Sequence, residues 1–222
     1  MKKSVAFICL FIFSICLFSG CAKKQGLERY VTELRSDIFY GQTEQLKVKA
    51  FYGFKETPFL NDGKTGEKEY FLKFRLLDKE TDLTTYTLYF LHDGTEYTKQ
   101  FSVDPVTHAL SAEIPVENFN KKSFDLKVKY SENSVDVNMQ SIIPKGTISY
   151  VTALEKVKNS QKELIKAFTD EQGNFNAEIY ARVLVKDDKA YWYIGFAYGK
   201  DRLKALLVDG KTGEVVAIRE VF

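Results

Sequence analysis

The chain has 222 residues, with 32 Lys and Arg against 30 Asp and Glu, which gives a formal net charge of +2 at pH 7. That small excess equals the contribution of Lys2 and Lys3, which precede an apolar N-terminal run, so the rest of the chain is neutral. A neutral chain excludes a nucleic-acid or polyanion binder that works through bulk charge. We therefore expect no nucleic acid among the partners of this protein.

The N-terminus has the parts of a bacterial export signal. Lys2 and Lys3 supply a short positive segment, and residues 5–18 are apolar apart from Ser14. This apolar run has about the length of a signal-peptide core and is shorter than the roughly 20 residues that a membrane-spanning helix needs. The run ends in Leu-Phe-Ser-Gly-Cys, with small residues immediately before Cys21.

This ending resembles the lipobox of bacterial lipoproteins, in which a signal peptidase cuts before a cysteine that carries a diacylglyceryl group. The third residue before that cysteine is usually Leu, whereas Phe18 stands here. The resemblance implies a signal peptide over residues 1–20, a lipid on Cys21 and export to the outer face of the bacterial cell membrane. An ordinary secretory signal or an uncleaved anchor is the alternative.

Cysteine occurs at Cys9, Cys16 and Cys21, and the first two lie inside the predicted signal peptide. The exported part therefore has no cysteine pair for a disulfide and, once Cys21 is acylated, no thiolate for catalysis or metal binding. A mature chain of roughly 200 residues can bury a sufficient core without such cross-links.

Residues 21–42 are predicted to form a lipidated tether and a short helix. The tether, over residues 22–26, is polar and includes two lysines beside the lipid site. Residues 27–39 then have apolar positions at helical spacing, which predicts an amphipathic helix. Those positions are Leu27, Tyr30, Val31, Leu34 and Ile38.

From residue 43 to residue 144 the apolar period changes to two, which is typical of β-strands. Leu72, Phe74 and Leu76, for example, alternate with Lys73 and Arg75. The predicted strands are Leu46–Tyr52, Tyr70–Leu77, Thr85–Leu91, Tyr97–Val103, Ala109–Val116, Phe124–Tyr130 and Val135–Ile142. Short strands in this number, without an intervening helix, predict an antiparallel β-sandwich of immunoglobulin-like architecture over residues 43–144.

Pro144 and Gly146 interrupt the strand pattern, and we place a domain boundary there, so that the second domain covers residues 147–222. Helical spacing predicts a helix over residues 149–169, with Thr147 or Ser149 as its N-cap. Four predicted strands follow: Ala177–Lys186, Ala190–Tyr198, Arg202–Val208 and Glu214–Glu220.

This second domain combines its helix with an aromatic strand, Ala-Tyr-Trp-Tyr-Ile-Gly-Phe at residues 190–196, and a hairpin, Leu-Val-Asp-Gly-Lys-Thr-Gly-Glu-Val at residues 207–215. In this order the three features resemble the PepSY family. The resemblance implies a regulatory or peptidase-inhibiting role and offers no shared catalytic residue. The predicted fold class is therefore α+β, an N-terminal antiparallel β-sandwich (immunoglobulin-like) followed by a small PepSY-like helix-plus-antiparallel-sheet domain.

The C-terminal strands are apolar on both faces, and one helix covers only one face of a sheet. The residues at the second face include Tyr180, Leu184, Tyr191 and Tyr193. We expect these four side chains to form a protein-binding face that docks on the preceding domain or on a partner protein. The alternative is a face that is shielded by the loops of its own domain.

The sequence lacks the motifs of common enzymes and metal sites. Residues 63–65 and 210–212 both read Gly-Lys-Thr, but they lack the earlier glycine of a phosphate-binding loop and precede strands, so we interpret them as turns. His92 and His108 have no metal-ligand spacing, and we expect both at the solvated surface. No nucleophile elbow is present. We therefore predict no catalytic residue, no metal site and no cofactor.

Together these features predict a non-enzymatic, membrane-anchored surface lipoprotein that binds a protein or regulates a peptidase. Its partners would be the membrane, through the N-terminal lipid, and an extracellular protein such as a peptidase or a cell-wall enzyme. The alternative is a ligand-capture lipoprotein that assists a transporter, although such proteins usually have two α/β lobes around a cleft. A hydrolase with a dispersed site is a third hypothesis.

Overall fold

The computed structural model describes residues 26–58, 65–77, 85–198 and 202–221. The predicted signal peptide, Cys21 and most of the tether lie outside the described residues. The first two residues of the Gly-Lys-Thr turn at 63–65 lie outside them as well.

The described residues form a single hydrogen-bonded sheet of 13 strands with little helix. A short 3-10 helix at Leu27–Tyr30 precedes the sheet, and two helices, α1 (Tyr150–Ser160) and α2 (Lys162–Ala167), lie between its ninth and tenth strands. The strands are β1 (Val31–Gln42), β2 (Lys47–Thr57), β3 (Glu67–Leu77), β4 (Tyr86–His92), β5 (Thr95–Gln100), β6 (Ser102–Val103), β7 (Leu110–Pro115), β8 (Ser123–Tyr130), β9 (Asn133–Ser141), β10 (Glu178–Lys186), β11 (Lys189–Tyr198), β12 (Arg202–Asp209) and β13 (Val215–Val221).

The first nine strands roll into a nearly closed, barrel-like sheet. On one side of β1 the antiparallel order is β2, β3, β7 and β6, and on the other side it is β9, β8, β4 and β5. Strands β5 and β6 are separated only by Phe101, and β5 pairs with β4 whereas β6 pairs with β7. This bent segment therefore brings the two ends of the sheet together.

Alternate side chains of these strands fill the interior of the barrel-like sheet. Phe39 and Phe74 are completely buried, and the ring of Phe124 lies 5.1 Å from that of Phe39 and 6.2 Å from that of Phe74. Edge-to-face rings at these separations add to the stabilisation from burial, which is about 1.5–3 kcal/mol for each large apolar side chain. The period-2 pattern of the sequence is thus explained by one enclosed core.

The C-terminal strands extend the same sheet. Strand β10 pairs in parallel with the first part of β1, with Val31 opposite Ile179 and Arg35 opposite Arg182, and β10–β13 then form an antiparallel meander. Helix α1 covers one face of this extension, where Leu154 packs in a second buried cluster with the strand side chains. The clusters are separate, but the hydrogen-bonded sheet is continuous.

The ends of α1 are fixed by local hydrogen bonds. Ser149 is the N-cap, and its Oγ accepts a bond of 3.1 Å from the amide of Thr152. The indole Nε1 of Trp192 donates to the carbonyl of Ile148 at 2.9 Å, which ties the start of the helix to β11. The chain leaves helical geometry at Gln161, so the predicted helix over residues 149–169 is present as two shorter helices.

The predicted immunoglobulin-like β-sandwich followed by a separate PepSY-like domain is wrong. The structure is mostly antiparallel β, with one nearly closed barrel-like sheet in place of two packed sheets. The predicted strands themselves are present, but their pairing differs. A period of two shows only that one face of each strand is buried, and it does not distinguish two facing sheets from one rolled sheet.

The predicted helix over residues 27–39 is also wrong, because all but its first turn belongs to β1. The pairing register of β1 shifts between Val31 and Glu33 and again between Arg35 and Asp37. Each shift adds a residue, so Val31 and Leu34 are three apart yet lie opposite Ile179 and Ala181, two positions apart on β10. Two irregularities in one strand thus imitate helical spacing.

We expect the substitution Phe39→Ala to lower the free energy of unfolding by about 3–5 kcal/mol, because it removes a completely buried ring at the centre of the core. Urea denaturation of the full chain, followed by fluorescence, measures this change. Val106→Ala is the control, since Val106 is 84 % exposed and its loss should change stability by less than about 0.5 kcal/mol. Equal effects of the two substitutions would contradict the inward position of Phe39.

Candidate functional site

The four residues predicted to form a binding face lie together on the extension of the sheet. Tyr180 and Leu184 are on β10, whereas Tyr191 and Tyr193 are on β11. Leu184 lies directly opposite Tyr191, and Tyr193 lies directly opposite Arg182, which shares the face. Because Ile179, Ala181 and Val183 alternate with these residues and pack in the helix-covered cluster, this surface is on the side away from α1. We call Tyr180, Arg182, Leu184, Tyr191 and Tyr193 the tyrosine face.

The tyrosine face is partly exposed. Leu184 is 42 % exposed, and Tyr180, Tyr191 and Tyr193 are half-buried. The expectation that this face docks on the preceding part of the chain or on a partner protein stays a prediction. Strand β10 joins β1 edge to edge through backbone hydrogen bonds, so the extension continues the sheet instead of packing face to face against it.

An ion-pair network at the border of the tyrosine face was not predicted from the sequence. Arg182 donates from Nε to Glu33 Oε1 at 3.0 Å and from Nη2 to Glu33 Oε2 at 2.5 Å. Arg35 donates from Nε to the same Oε1 at 2.8 Å. A carboxylate that accepts a two-pronged bond from arginine holds the guanidinium in one orientation. Glu33 thus orders Arg182, whose Cζ lies 6.0 Å from the ring centre of Tyr193.

The sequence offered only a partial signal for this network. Alternation along β10 places Arg182 beside the tyrosines, and that much could be read from the residues. The partner, Glu33, lies far away in the chain and in a segment that was predicted to be helical. Only the parallel pairing of β1 with β10 brings the two side chains together.

Tyr180 stays protonated at neutral pH. Burial raises the pKa of its phenol to about 12, and the negative charges of Glu178 and Glu33 act in the same direction. The nearby charge of Arg182 opposes this shift. A phenol of this kind donates and accepts hydrogen bonds but does not serve as a general base near pH 7. At neutral pH the Tyr180 phenol is therefore a hydrogen-bonding group of the tyrosine face.

A pocket lies where β7 ends beside β3. It has a volume of about 450 Å³, and Lys55, Lys68, Tyr70 and Phe71 are among its lining residues. Lys55 Nζ lies 2.5 Å from Glu113 Oε1, so this lysine is already neutralised. Tyr70 is 39 % exposed. The volume falls within the range of small-molecule pockets, which is roughly 300–1,000 Å³.

The prediction that both histidines are solvated is wrong for His92. His108 is exposed, whereas His92 is buried and packs against the rings of Phe90 and Phe119, at 6.1 and 5.2 Å. Asp93 Oδ2 lies 3.4 Å from His92 Nε2, but neither ring nitrogen has a hydrogen-bond partner among the described residues. A histidine at the end of a strand was assigned to the surface because turn residues follow it, yet its parity along β4 places it inside.

The other motifs are consistent with structural roles. The Gly-Lys-Thr segment at 210–212 is a turn, in which Asp209 Oδ1 accepts bonds of 2.8 Å from the amides of Lys211 and Thr212. Two amides that a phosphate-binding loop would use are thus occupied. In the described part of the chain, no group of three or more His, Cys, Asp or Glu side chains is placed to hold a metal ion. Nor does any helix there have the length and apolar character required to cross a membrane.

Comparisons of the chain with protein-family models, curated proteins and solved structures give no significant match. The function must therefore be argued from the residues themselves. Among the described surfaces, the tyrosine face combines aromatic side chains, an oriented arginine and partial exposure.

We expect His92→Phe to raise the free energy of unfolding by about 1 kcal/mol, because a phenyl ring keeps the contacts with Phe90 and Phe119 and removes buried polar atoms that lack partners. Urea denaturation measures the change. His108→Phe serves as the control at an exposed position and should shift stability by less than about 0.5 kcal/mol. A clear loss of stability in His92→Phe would show that the imidazole has a partner.

Proposed function

We propose that this protein is a non-enzymatic lipoprotein, exported and anchored by a lipid on Cys21, that binds an extracellular protein partner through the tyrosine face. The observation that carries the proposal is a partly exposed aromatic face, with Leu184 42 % exposed and an arginine held in place beside it. The anchor rests on the sequence pattern before Cys21.

The composition of the tyrosine face suits recognition of a protein. Tyrosine and arginine are enriched at the centres of protein interfaces, where they bring large contact area together with hydrogen-bonding groups. The bonds from Arg182 to Glu33 fix the guanidinium before a partner arrives. Less side-chain entropy is then lost on binding, which favours affinity.

The kind of partner rests on the sequence pattern alone, since the aromatic strand and hairpin of residues 190–215 resemble the PepSY family although the separate PepSY-like domain expected from them is wrong. That resemblance favours a peptidase or a cell-wall enzyme as the bound protein, with this chain as an accessory or regulatory factor. The neutral phenol of Tyr180 is in keeping with a binding role.

A second candidate function is ligand capture on behalf of a transporter. The hollow beside β3 and β7 favours it, because a volume of about 450 Å³ and the exposed ring of Tyr70 suit a small ligand. In that case the co-purifying membrane protein would be a permease, and substitutions on the tyrosine face would leave its capture unchanged.

Co-purification from membranes tests the two functions. We expect the double variant Tyr191→Ala and Tyr193→Ala to capture at least about tenfold less of the partner than the original chain, because interface tyrosines commonly contribute about 2 kcal/mol each. Tyr89→Ala is the matched control, since Tyr89 is a half-buried tyrosine of the barrel-like sheet, outside this face. Unchanged capture by a double variant of normal stability would contradict the proposal.

We expect Cys21→Ser to abolish lipid labelling of the chain, because the serine hydroxyl does not accept the diacylglyceryl group in place of the thiol. Metabolic labelling with a fatty acid and fractionation of membranes measure the outcome. Cys16→Ser is the control, because that cysteine lies within the predicted signal peptide. Continued labelling of the Cys21→Ser chain would overturn the lipid anchor.

A further inference from the structure

A row of polar side chains crosses the outer face of the barrel-like sheet, the face away from its core. In the pairing register, Tyr40 lies opposite Lys49, Lys49 lies opposite Arg75, and Arg75 lies opposite Ser111. Ser111 is in turn opposite Ser102. The centre of this row is therefore a pair of cations on adjacent strands, with hydroxyl groups on both sides.

Two like charges at directly opposite positions of an antiparallel pair repel each other, since the Cβ atoms of such positions are only about 4.5–5.5 Å apart. Burial and the positive charge of Arg75 both lower the pKa of Lys49. An anion between the two cations would relieve this repulsion.

Neighbouring cations of the same face have carboxylate partners, whereas this pair has none among the described residues. Lys55 pairs with Glu113 at 2.5 Å, Lys73 with Asp104 at 2.7 Å, and Arg35 with Glu33 at 2.8 Å. Within the described parts of the chain, by contrast, no carboxylate forms an ion pair with Lys49 or Arg75. Among these described cations of the face, Lys49 and Arg75 are therefore the pair whose positive charge has no carboxylate partner.

The geometry of Arg75 also indicates a missing acceptor. Its Nη2 donates to Thr107 Oγ1 at 3.2 Å, whereas its Nε is buried and has no hydrogen-bond partner among the residues described. Thr107 is held in place by Asp104, whose Oδ1 accepts the amide of Thr107 at 2.9 Å while Oδ2 accepts from Lys73. The Arg75 guanidinium is thus positioned by the turn that contains Asp104 and Thr107, and its Nε–H has no acceptor among the described residues.

We propose that Lys49 and Arg75 form a binding site for a phosphate group on the outer face of the barrel-like sheet. A phosphate oxyanion supplies the negative charge that this pair lacks, and its several acceptor oxygens match an ammonium and a guanidinium together. The site is separate from the tyrosine face and does not depend on the function proposed for it. Free phosphate and the headgroup of an anionic lipid share this chemistry.

Calorimetry on the full chain, purified in a neutral detergent, tests the site with two probes. Inorganic phosphate is one probe, and dihexanoyl phosphatidylglycerol is the other. We expect saturable binding of at least one probe. The affinity of the Lys49→Gln chain for that probe should be at least about tenfold weaker than that of the original chain, because one charge-assisted bond is lost. Binding of inorganic phosphate identifies the free ion as sufficient, whereas binding of the lipid alone identifies a headgroup.

Three further variants keep the result interpretable. Arg75→Lys retains the charge but not the planar fork, so it should weaken binding while the chain still folds. Lys99→Gln is the control, because Lys99 is an exposed lysine on β5. Arg75→Gln should abolish binding if it folds, and Lys49→Gln decides the matter if it does not. In the absence of either probe, Lys49→Gln should unfold at a higher temperature than the original chain, because the repulsion is relieved.

Several results would overturn the proposal. One is the absence of binding of both probes at low ionic strength. Another is equal affinity of the Lys49→Gln and Lys99→Gln chains. A third is equal stabilisation by phosphate and by chloride at matched ionic strength, which would indicate general screening instead of a site.

Discussion

The fold depends on a single strand that serves two parts of the sheet. Strand β1 pairs with β2 along its length, and its other edge is divided between β10 at the start and β9 near the end. The division requires the strand to change direction, and the register shift between Arg35 and Asp37 supplies the bend. Gly53 lies opposite this bulge, where a Cβ would stand 1.7 Å from the carbonyl oxygen of Leu34. Only glycine allows the two backbones this close approach.

This dependence explains which parts of the fold followed from the sequence. The strands of residues 43–144 and the C-terminal meander were predicted because local alternation needs no knowledge of pairing. The role of β1 was not, because its two irregularities disturb the period of two and because Val31 pairs with Ile179, far along the chain. Without β1 as a strand, the two halves of the protein look like independent domains. A sandwich and a separate α+β unit then become the natural interpretation.

For the candidate sites too, local alternation was evident from the sequence, whereas contacts that depend on strand pairing were not. Parity along β10 and β11 was enough to gather the tyrosine face, since each of its aromatic side chains alternates along its strand with residues buried against the helices. Glu33, which orders Arg182, could not be found without the parallel pairing of β1 with β10. Arg75 was recognised as a polar member of an alternating strand, whereas Lys49 was not singled out from the sequence. The direct opposition of these two cations required the register of β2 against β3.

The tyrosine face and the proposed site at Lys49 and Arg75 are connected by strands β1 and β2. Gly53 lies opposite Arg35, which lies opposite Arg182. Since Lys49 and Gly53 are on the same side of β2, Lys49 and the tyrosine face are on the same side of the sheet. Phe51 stands between them, with Lys49 Nζ 5.4 Å and Arg35 Cζ 5.9 Å from its ring centre. An anion bound at Lys49 would weaken the attraction between the lysine ammonium group and the Phe51 ring. An anion at Lys49 would therefore act on the same aromatic ring that Arg35 contacts, and Arg35 shares Glu33 with the arginine of the tyrosine face. A series of side-chain contacts from β2 through β1 to β10 thus lies between the two surfaces.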